Sequence, residues 1–265
     1  MKKILRANND RRDKAHLSTL KQQGGLIASL YESQLDPEWG SHIHNMNKGT
    51  LKFLMNGYIN TLSTQNNLKL WGITTSDKCK LCTNRDSTLH VLSGCKVSLD
   101  QSRYTWRHNC VLKHVVELFQ DSKYTVTSDL PGYKTYGHST VNPQLTVTNL
   151  MPDIVLESES EVFILELTVP FETNVDRQHL YKTDKYAHFV SEIVSKKCTI
   201  LAWEVGVRGL ITKSNKETLK RIHALTNRKT NFKDMCRRQA ELAITCSYHI
   251  FLNRKNKNWG ETGLI

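Results

Sequence analysis

Residues 151 to 172 read MPDIVLESESEVFILELTVPFE, and this stretch decides the predicted fold. Aliphatic and β-branched side chains dominate two runs within it, residues 153 to 156 and 162 to 169, as is typical of β-strands. The polar residues 157 to 161 between the runs predict a hairpin tip. The two strands are therefore expected to lie next to each other as an antiparallel pair.

This strand pair would bring two carboxylates side by side. Asp153 begins the first strand, and Glu166 lies thirteen residues later, among uncharged neighbours in the second strand. Burial of Glu166 without a partner would be unfavourable, and a divalent cation shared with Asp153 would provide one. The pattern leaves a second interpretation open, in which Glu166 forms a structural ion pair with Lys182 or Lys185.

The sequence after the second strand predicts further elements: a helix over residues 175 to 195, a strand over 199 to 207 and helical sequence from 215 to 253, where no proline interrupts the helices. Lys182 and Lys185 are three residues apart in the first of these helices, and they share one face with His179. A lysine near a water bound to Mg2+ is one of the parts needed to hydrolyse a phosphodiester. Both lysines are therefore candidate catalytic residues.

The chain before these strands is predicted to be mainly helical. Residues 1 to 47 show no sustained periodicity and predict a flexible or weakly helical lead-in. Apolar stripes predict helices over residues 51 to 62, where the stripe includes Met55 and Ile59, and over residues 103 to 119. A turn signal at 129 to 132 and a further strand at 145 to 150 complete the predicted sheet.

Four metal-ligating residues lie within a span of seventeen positions, in the pattern C-x2-C-x7-H-x4-C: Cys79, Cys82, His90 and Cys95. Three thiolates and an imidazole suit tetrahedral zinc, and a site with four protein ligands leaves no position for water. The sequence therefore predicts a structural zinc site. A chance grouping of buried cysteines is the disfavoured alternative.

Composition narrows the function classes. The chain has 265 residues with 37 Lys and Arg against 25 Asp and Glu, which gives a formal charge of +12 and a pI near 9.4. A mean hydropathy of −0.48 and the lack of any apolar run of about 18 residues exclude a membrane-spanning protein. Seven cysteines and no signal-peptide pattern indicate reduced thiols, in the nucleus or the cytoplasm.

The positive charge is concentrated in one segment. Ten Lys or Arg lie between Arg208 and Arg238, against two carboxylates. Such a segment is typical of a surface that holds phosphate, although a solvated helix face is an equal alternative. The candidate nucleic-acid contacts are Lys213, Lys216, Lys220, Arg221 and Arg228.

In this order, the motifs resemble the C-terminal region of site-specific non-LTR retrotransposon polyproteins, in which a CCHC zinc knuckle precedes a restriction-enzyme-like PD-(D/E)XK endonuclease. The resemblance covers about residues 45 to 225. The matching stretches are Cys79-Lys80-Leu81-Cys82 with His90 and Cys95, residues 103 to 108 (RYTWRH), residues 130 to 133 (LPGY), Pro152-Asp153, residues 166 to 172 (ELTVPFE), His179 with Lys182 and Lys185-Tyr186, and residues 204 to 209 (EVGVRG).

The resemblance implies an α/β fold, namely an αβα restriction-endonuclease-like core with a central mixed sheet, preceded by a helical segment and the zinc knuckle. It implies that Asp153 and Glu166 bind Mg2+ or Mn2+ and that Lys182 or Lys185 polarises the attacking water. An earlier helix often supplies a third acid in such folds, for which Glu117 is the candidate here. The implied function is a metal-dependent DNA endonuclease in the nucleus, with structured RNA as a further candidate partner.

The implied organisation has four parts: a lead-in over 1–47, a helical linker with the zinc knuckle over 48–100, an endonuclease domain over 101–253 and a basic tail over 254–265. Met151 stands where the family usually has a basic residue, so one phosphate contact is expected to be missing. The chain has no Tyr-x-Asp-Asp motif of a reverse transcriptase, so we expect an element fragment, a domesticated derivative or a truncated gene product. A catalytically silent nucleic-acid-binding module is the alternative function, and a purely structural protein is the least favoured.

Overall fold

The structure is a computed structural model that describes residues 2–20, 23–32, 38–130, 152–192, 196–227 and 230–260. The predicted strand at 145 to 150, residues 131 to 133 of the resemblance and Arg228 lie outside the described residues. Among the described helices, none is long and apolar enough to cross a membrane.

Helices dominate the N-terminal half of the chain. The elements in this part are α1 (Lys2–Ser18), α2 (Gly24–Glu32), a 3-10 helix (Gly40–Asn45), α3 (Lys48–Tyr58), α4 (Gln65–Leu70), a π-helical turn (His90–Gly94), α5 (Lys96–Asp100) and α6 (Arg103–Glu117). Two of the helices and the 3-10 helix fall within the predicted lead-in. In α3 the predicted stripe is partly wrong, because Phe53 is buried while Met55 and Ile59 are exposed.

The remaining elements build and cover the sheet. They are β1 (Thr125–Ser128), β2 (Ile154–Glu157), β3 (Glu161–Thr168), a 3-10 helix (Glu172–Asn174), α7 (Val175–Glu192), β4 (Lys197–Glu204), α8 (Lys213–Leu225) and α9 (Phe232–Leu252). The helical structure predicted over 215 to 253 thus forms two helices, α8 and α9. A new helix begins without a proline because Asn231 caps α9. The Asn231 side chain accepts a hydrogen bond from the Lys233 N–H.

The sheet has the strand order β1-β2-β3-β4, and it is mixed. Strands β2 and β3 are antiparallel neighbours, as the hairpin signal predicted, β1, which the sequence did not predict, pairs antiparallel with β2, and β4 runs parallel to β3 after the crossover through α7. Ile154 faces Leu165 across the hairpin, and Glu166 is paired with Ala202 of β4. The predicted α/β class with a central mixed sheet is thus confirmed.

The two faces of the sheet are covered by different helices. Leu165, Leu167 and Trp203 belong to the main core, which also includes apolar residues of α6 and α9. On the opposite face, Val155 and Ile164 pack with Tyr186 of α7 in a smaller cluster. Because side chains alternate along a strand, Asp153, Glu166 and Glu204 share this second face with α7.

A buried ion pair connects the end of the sheet to α3. The Arg208 guanidinium donates to Glu172 Oε2 at 2.6 and 2.8 Å and to the Gly57 carbonyl at 2.8 Å, and the Arg208 backbone N–H donates to Glu172 Oε1. Gly206 allows this approach, since a Cβ there would lie 2.8 Å from the Glu172 side chain. Arg208 was counted in the basic segment predicted to hold phosphate, and that part of the prediction is wrong because Arg208 is buried.

We expect Glu172→Gln to lower the free energy of unfolding by about 3 kcal/mol or more, because it leaves the buried Arg208 charge without its partner. Urea denaturation measures this change. The control is Glu217→Gln, which breaks the exposed pair between Lys220 and Glu217 and is expected to change stability by about 0.5 kcal/mol or less. Equal effects of the two variants would contradict a structural role for the buried pair.

Candidate functional site

The four predicted metal ligands converge in the structure. One ligand atom from each of Cys79, Cys82, His90 and Cys95 lies within 4.8 Å of the other three, and Cys82 Sγ is 3.2 Å from His90 Nε2. The loop that carries the first two cysteines is closed by the Cys79 N–H, which donates to the Asn84 carbonyl at 2.7 Å. Within the described residues, no other group of three or more His, Cys, Asp or Glu side chains brings its ligand atoms this close together.

The pKa values of two of these thiols shift in opposite directions. Burial raises the pKa of the Cys79 thiol to about 12. Burial also opposes ionisation of Cys95, but hydrogen bonds from Ser98, Cys82 and Cys79 outweigh it and lower the pKa of that thiol. The group could therefore bind a metal, and three sulfurs with one imidazole nitrogen are compatible with structural zinc, since all four positions are filled by protein.

The predicted carboxylate pair also forms. Asp153 immediately precedes β2, and its backbone N–H donates to Glu166 Oε1 at 3.2 Å. The Leu167 N–H in turn donates to Asp153 Oδ2 at 2.7 Å. Glu166 is only 1% exposed, so its carboxylate depends on partners within the protein.

The structure separates the two candidate lysines. Lys182 Nζ donates to Glu166 Oε2 at 2.5 Å. Lys185 Nζ instead donates to the Tyr186 hydroxyl at 3.1 Å and lies over the Tyr186 ring. Lys182 is thus the lysine that contacts the carboxylate pair directly. Lys185 contacts Tyr186, which in turn has a hydrogen bond with Glu166.

The pKa directions agree with this arrangement. Burial, followed by the charge of Asp153, raises the pKa of Glu166. Burial also opposes ionisation of Asp153, yet the hydrogen bond and charge of His108 and the charge of Lys182 lower its pKa. For Lys182, burial is outweighed by the charges of Asp153 and Glu166, so its pKa is raised. The cluster therefore favours an ionised Asp153 next to a protonated Lys182.

His108 of α6 is a site residue that sequence reasoning missed. His108 Nε2 lies 3.3 Å from Asp153 Oδ2 and 3.2 Å from the Leu167 carbonyl oxygen. His108 and Asp153 both line a cavity of about 360 Å3 between α6 and the strand ends. The only sequence signal was its position within the matching stretch RYTWRH.

The other predicted residues lie away from this pair. Glu117 is exposed nine residues after His108, a distance of about 13 Å along the helix axis, so α6 does not bring it to Asp153. His179 faces Glu204, with Nδ1 3.2 Å from Oε2, and not Glu166.

The basic residues of α8 differ in their availability. Lys213, Lys220 and Arg221 are exposed, as a surface that binds nucleic acid requires. Lys216 is half-buried and forms an ion pair with Glu38 at 2.6 Å, and the exposed Lys220 is paired with Glu217 at 2.7 Å. The available basic surface of α8 is therefore smaller than the charge count of the segment indicated.

No protein-family model matches the chain, and no curated protein matches it.

We expect purified protein to contain zinc at the Cys3His group and Cys82→Ser to lose it, with a lower unfolding temperature, because metal binding contributes to folding at such sites. Metal analysis and thermal unfolding measure the two effects. Cys198→Ser is the control, since Cys198 is a partly buried thiol of β4 outside the group. Full zinc content in Cys82→Ser would contradict the assignment.

Proposed function

We propose that the protein is a metal-dependent DNA endonuclease of the PD-(D/E)XK type. The observation that carries the proposal is the convergence of Asp153, Glu166 and Lys182 where β2 and β3 meet α7. Phosphodiester hydrolysis with Mg2+ or Mn2+ needs carboxylates that ligate the cation, and an ammonium group beside them can stabilise charge on the phosphate. The resemblance to the retrotransposon endonucleases supports the same assignment.

In the proposed mechanism Asp153 and Glu166 would hold the cation. Mg2+ or Mn2+ bound there would supply Lewis-acid stabilisation and lower the pKa of a bound water. Asp153 Oδ1 has no hydrogen-bond partner among the described residues, so it can act as a ligand. Lys182 contributes a fixed positive charge beside the carboxylates, where negative charge develops on the phosphate.

The order of elements supports the proposed core. An αβα endonuclease core requires a mixed sheet with helices on both faces and a crossover helix between its two parallel strands. Here α6 lies against one face, α7 covers the other, and α7 connects the parallel strands β3 and β4. The acidic pair sits on the α7 face, where Lys182 reaches it.

DNA is the proposed substrate because of the charge of the chain. The net charge of +12 favours a polyanion, and Lys213, Lys220 and Arg221 offer exposed cations for backbone phosphates. The Cys3His group is proposed to hold structural zinc. A nuclear location would give the protein access to this substrate.

One observation favours the second candidate function, a nucleic-acid-binding module without cleavage. Glu166 is already engaged by Lys182 and by the Asp153 N–H, and it also has a hydrogen bond with Tyr186. A buried Glu–Lys pair of this kind can be purely structural. Cleavage requires that Glu166 still accept a cation through its remaining lone pairs.

We expect the wild-type protein to nick supercoiled plasmid in Mg2+ and to be inactive in EDTA. Asp153→Asn should slow nicking by about 100-fold or more, which corresponds to about 3 kcal/mol of lost transition-state stabilisation. The control is Asp184→Asn, which removes an exposed carboxylate of α7 away from the pair and should keep full activity. If the wild-type protein binds plasmid but nicks it in neither Mg2+ nor Mn2+, the endonuclease proposal is overturned and the nucleic-acid-binding module remains.

The two lysines provide a matched test of the proposed geometry. Lys182→Gln should slow nicking by about 100-fold, because it removes the charge that contacts Glu166. Lys185→Gln should slow it less than tenfold, since Lys185 contacts Tyr186. Single-turnover nicking rates with the protein in excess over plasmid measure both. The reverse order would assign the catalytic role to Lys185.

A further inference from the structure

The two carboxylate oxygens of Asp153 have different surroundings. Oδ2 accepts a hydrogen bond from the Leu167 N–H at 2.7 Å and lies 3.3 Å from His108 Nε2. Oδ1 has no hydrogen-bond partner among the residues that the structure describes. The carboxylate is therefore held through one oxygen, and the other is available to a ligand.

The imidazole of His108 is itself fixed. Its Nε2 lies 3.2 Å from the Leu167 carbonyl oxygen, and its Nδ1 lies 3.1 Å from Asn109 Oδ1. The preceding residue, Arg107, anchors this turn of α6 by donating to the Leu92 and Val169 carbonyls at 2.9 and 3.2 Å. The ring is thus constrained on the helix side and on the β3 side.

We propose that His108 is a positioning residue for the proposed cation site. By donating from Nε2 to Asp153 Oδ2, it fixes the rotation of the carboxylate and leaves Oδ1 available to the cation. The inference rests on the proposed function for the identity of the ligand, a divalent cation. His108 then takes the place that sequence reasoning gave to Glu117, because it is the residue through which α6 contacts the site.

A positioning role differs from simple packing in what can replace the histidine. Glutamine can place an amide nitrogen near the position of the imidazole Nε2, so it retains a donor for Oδ2 with a different shape and no ring. Alanine removes the donor. If only ring packing mattered, the two substitutions would have similar effects on Asp153. Groups that orient metal ligands typically change metal affinity by 10- to 100-fold when they are lost.

The test is direct Mn2+ binding to the full-length protein, followed by electron paramagnetic resonance of free Mn2+. We expect His108→Ala to raise the Mn2+ Kd by about tenfold or more and His108→Gln to stay within about threefold of wild type. The matched control is His114→Gln on the same helix, whose Nε2 is buried without a hydrogen-bond partner among the described residues; it should bind Mn2+ like wild type. The part of the Mn2+ binding that is lost in Asp153→Asn is the part that belongs to this site.

Two outcomes would overturn the inference: His108→Ala with the wild-type Kd, or equal losses in His108→Ala, His108→Gln and His114→Gln, which would indicate general disturbance of α6. A wild type that shows no Mn2+ binding sensitive to Asp153→Asn overturns it together with the cation site. Plasmid nicking separates the two proposals, because Mn2+ binding that depends on His108 without any nicking supports the positioning role and contradicts only the nuclease.

Discussion

The structure depends on one buried guanidinium. Arg107 is 1% exposed, and it donates to the Leu92 carbonyl beside the Cys3His group, to the Val169 carbonyl after β3 and to the Ser247 hydroxyl of α9. Burial lowers its pKa to about 10, and among the described residues it forms no ion pair with a carboxylate. A cation with only neutral acceptors is unfavourable to bury unless all of them are in place. The metal-ligand region, the sheet and α9 are therefore held in one fixed arrangement around α6.

The same turn of α6 also reaches the candidate active site. His108 follows Arg107, and a step of one residue rotates the side chain by about 100° around the helix axis, which directs it at Asp153. On the other side, Leu92 lies two residues after the ligand His90 in the π-helical turn. The metal ligands and the carboxylate pair are thus connected through two consecutive residues of one helix. Folding of the Cys3His group therefore bears on the geometry around Asp153, and a metal bound there would stabilise both.

The sequence predicted the parts of the site that depend on local spacing. The hairpin signal placed Asp153 opposite Glu166, and the C-x2-C-x7-H-x4-C pattern placed the four metal ligands, because both depend on short separations. Helix spacing alone could not choose between Lys182 and Lys185, since both lie on one face. Their contacts in the folded protein separate them, because Lys182 contacts Glu166 and Lys185 contacts Tyr186. The contact between His108 and Asp153 spans 45 residues, beyond the reach of any periodicity. Charge counting likewise could not separate the buried Arg208 from the exposed cations of α8.

Charge balance gives a physical reason for the position of Lys182. Asp153 and Glu166 with Lys182 carry one net negative charge when all three are ionised and the neighbouring His108 is neutral. A divalent cation alone would make this partly buried cluster net positive, whereas a cation together with one phosphodiester would make it neutral. Uncompensated charge is unfavourable where solvent screening is weak. Under the proposed function, binding of the cation would therefore raise the affinity for the substrate phosphate. By thermodynamic linkage, the phosphate would raise the affinity for the cation by the same factor. Without Lys182 the same pair of ligands would leave an excess negative charge. Under the proposed function the lysine would match the cluster to one cation and one phosphodiester, and its contact with Glu166 compensates the buried carboxylate.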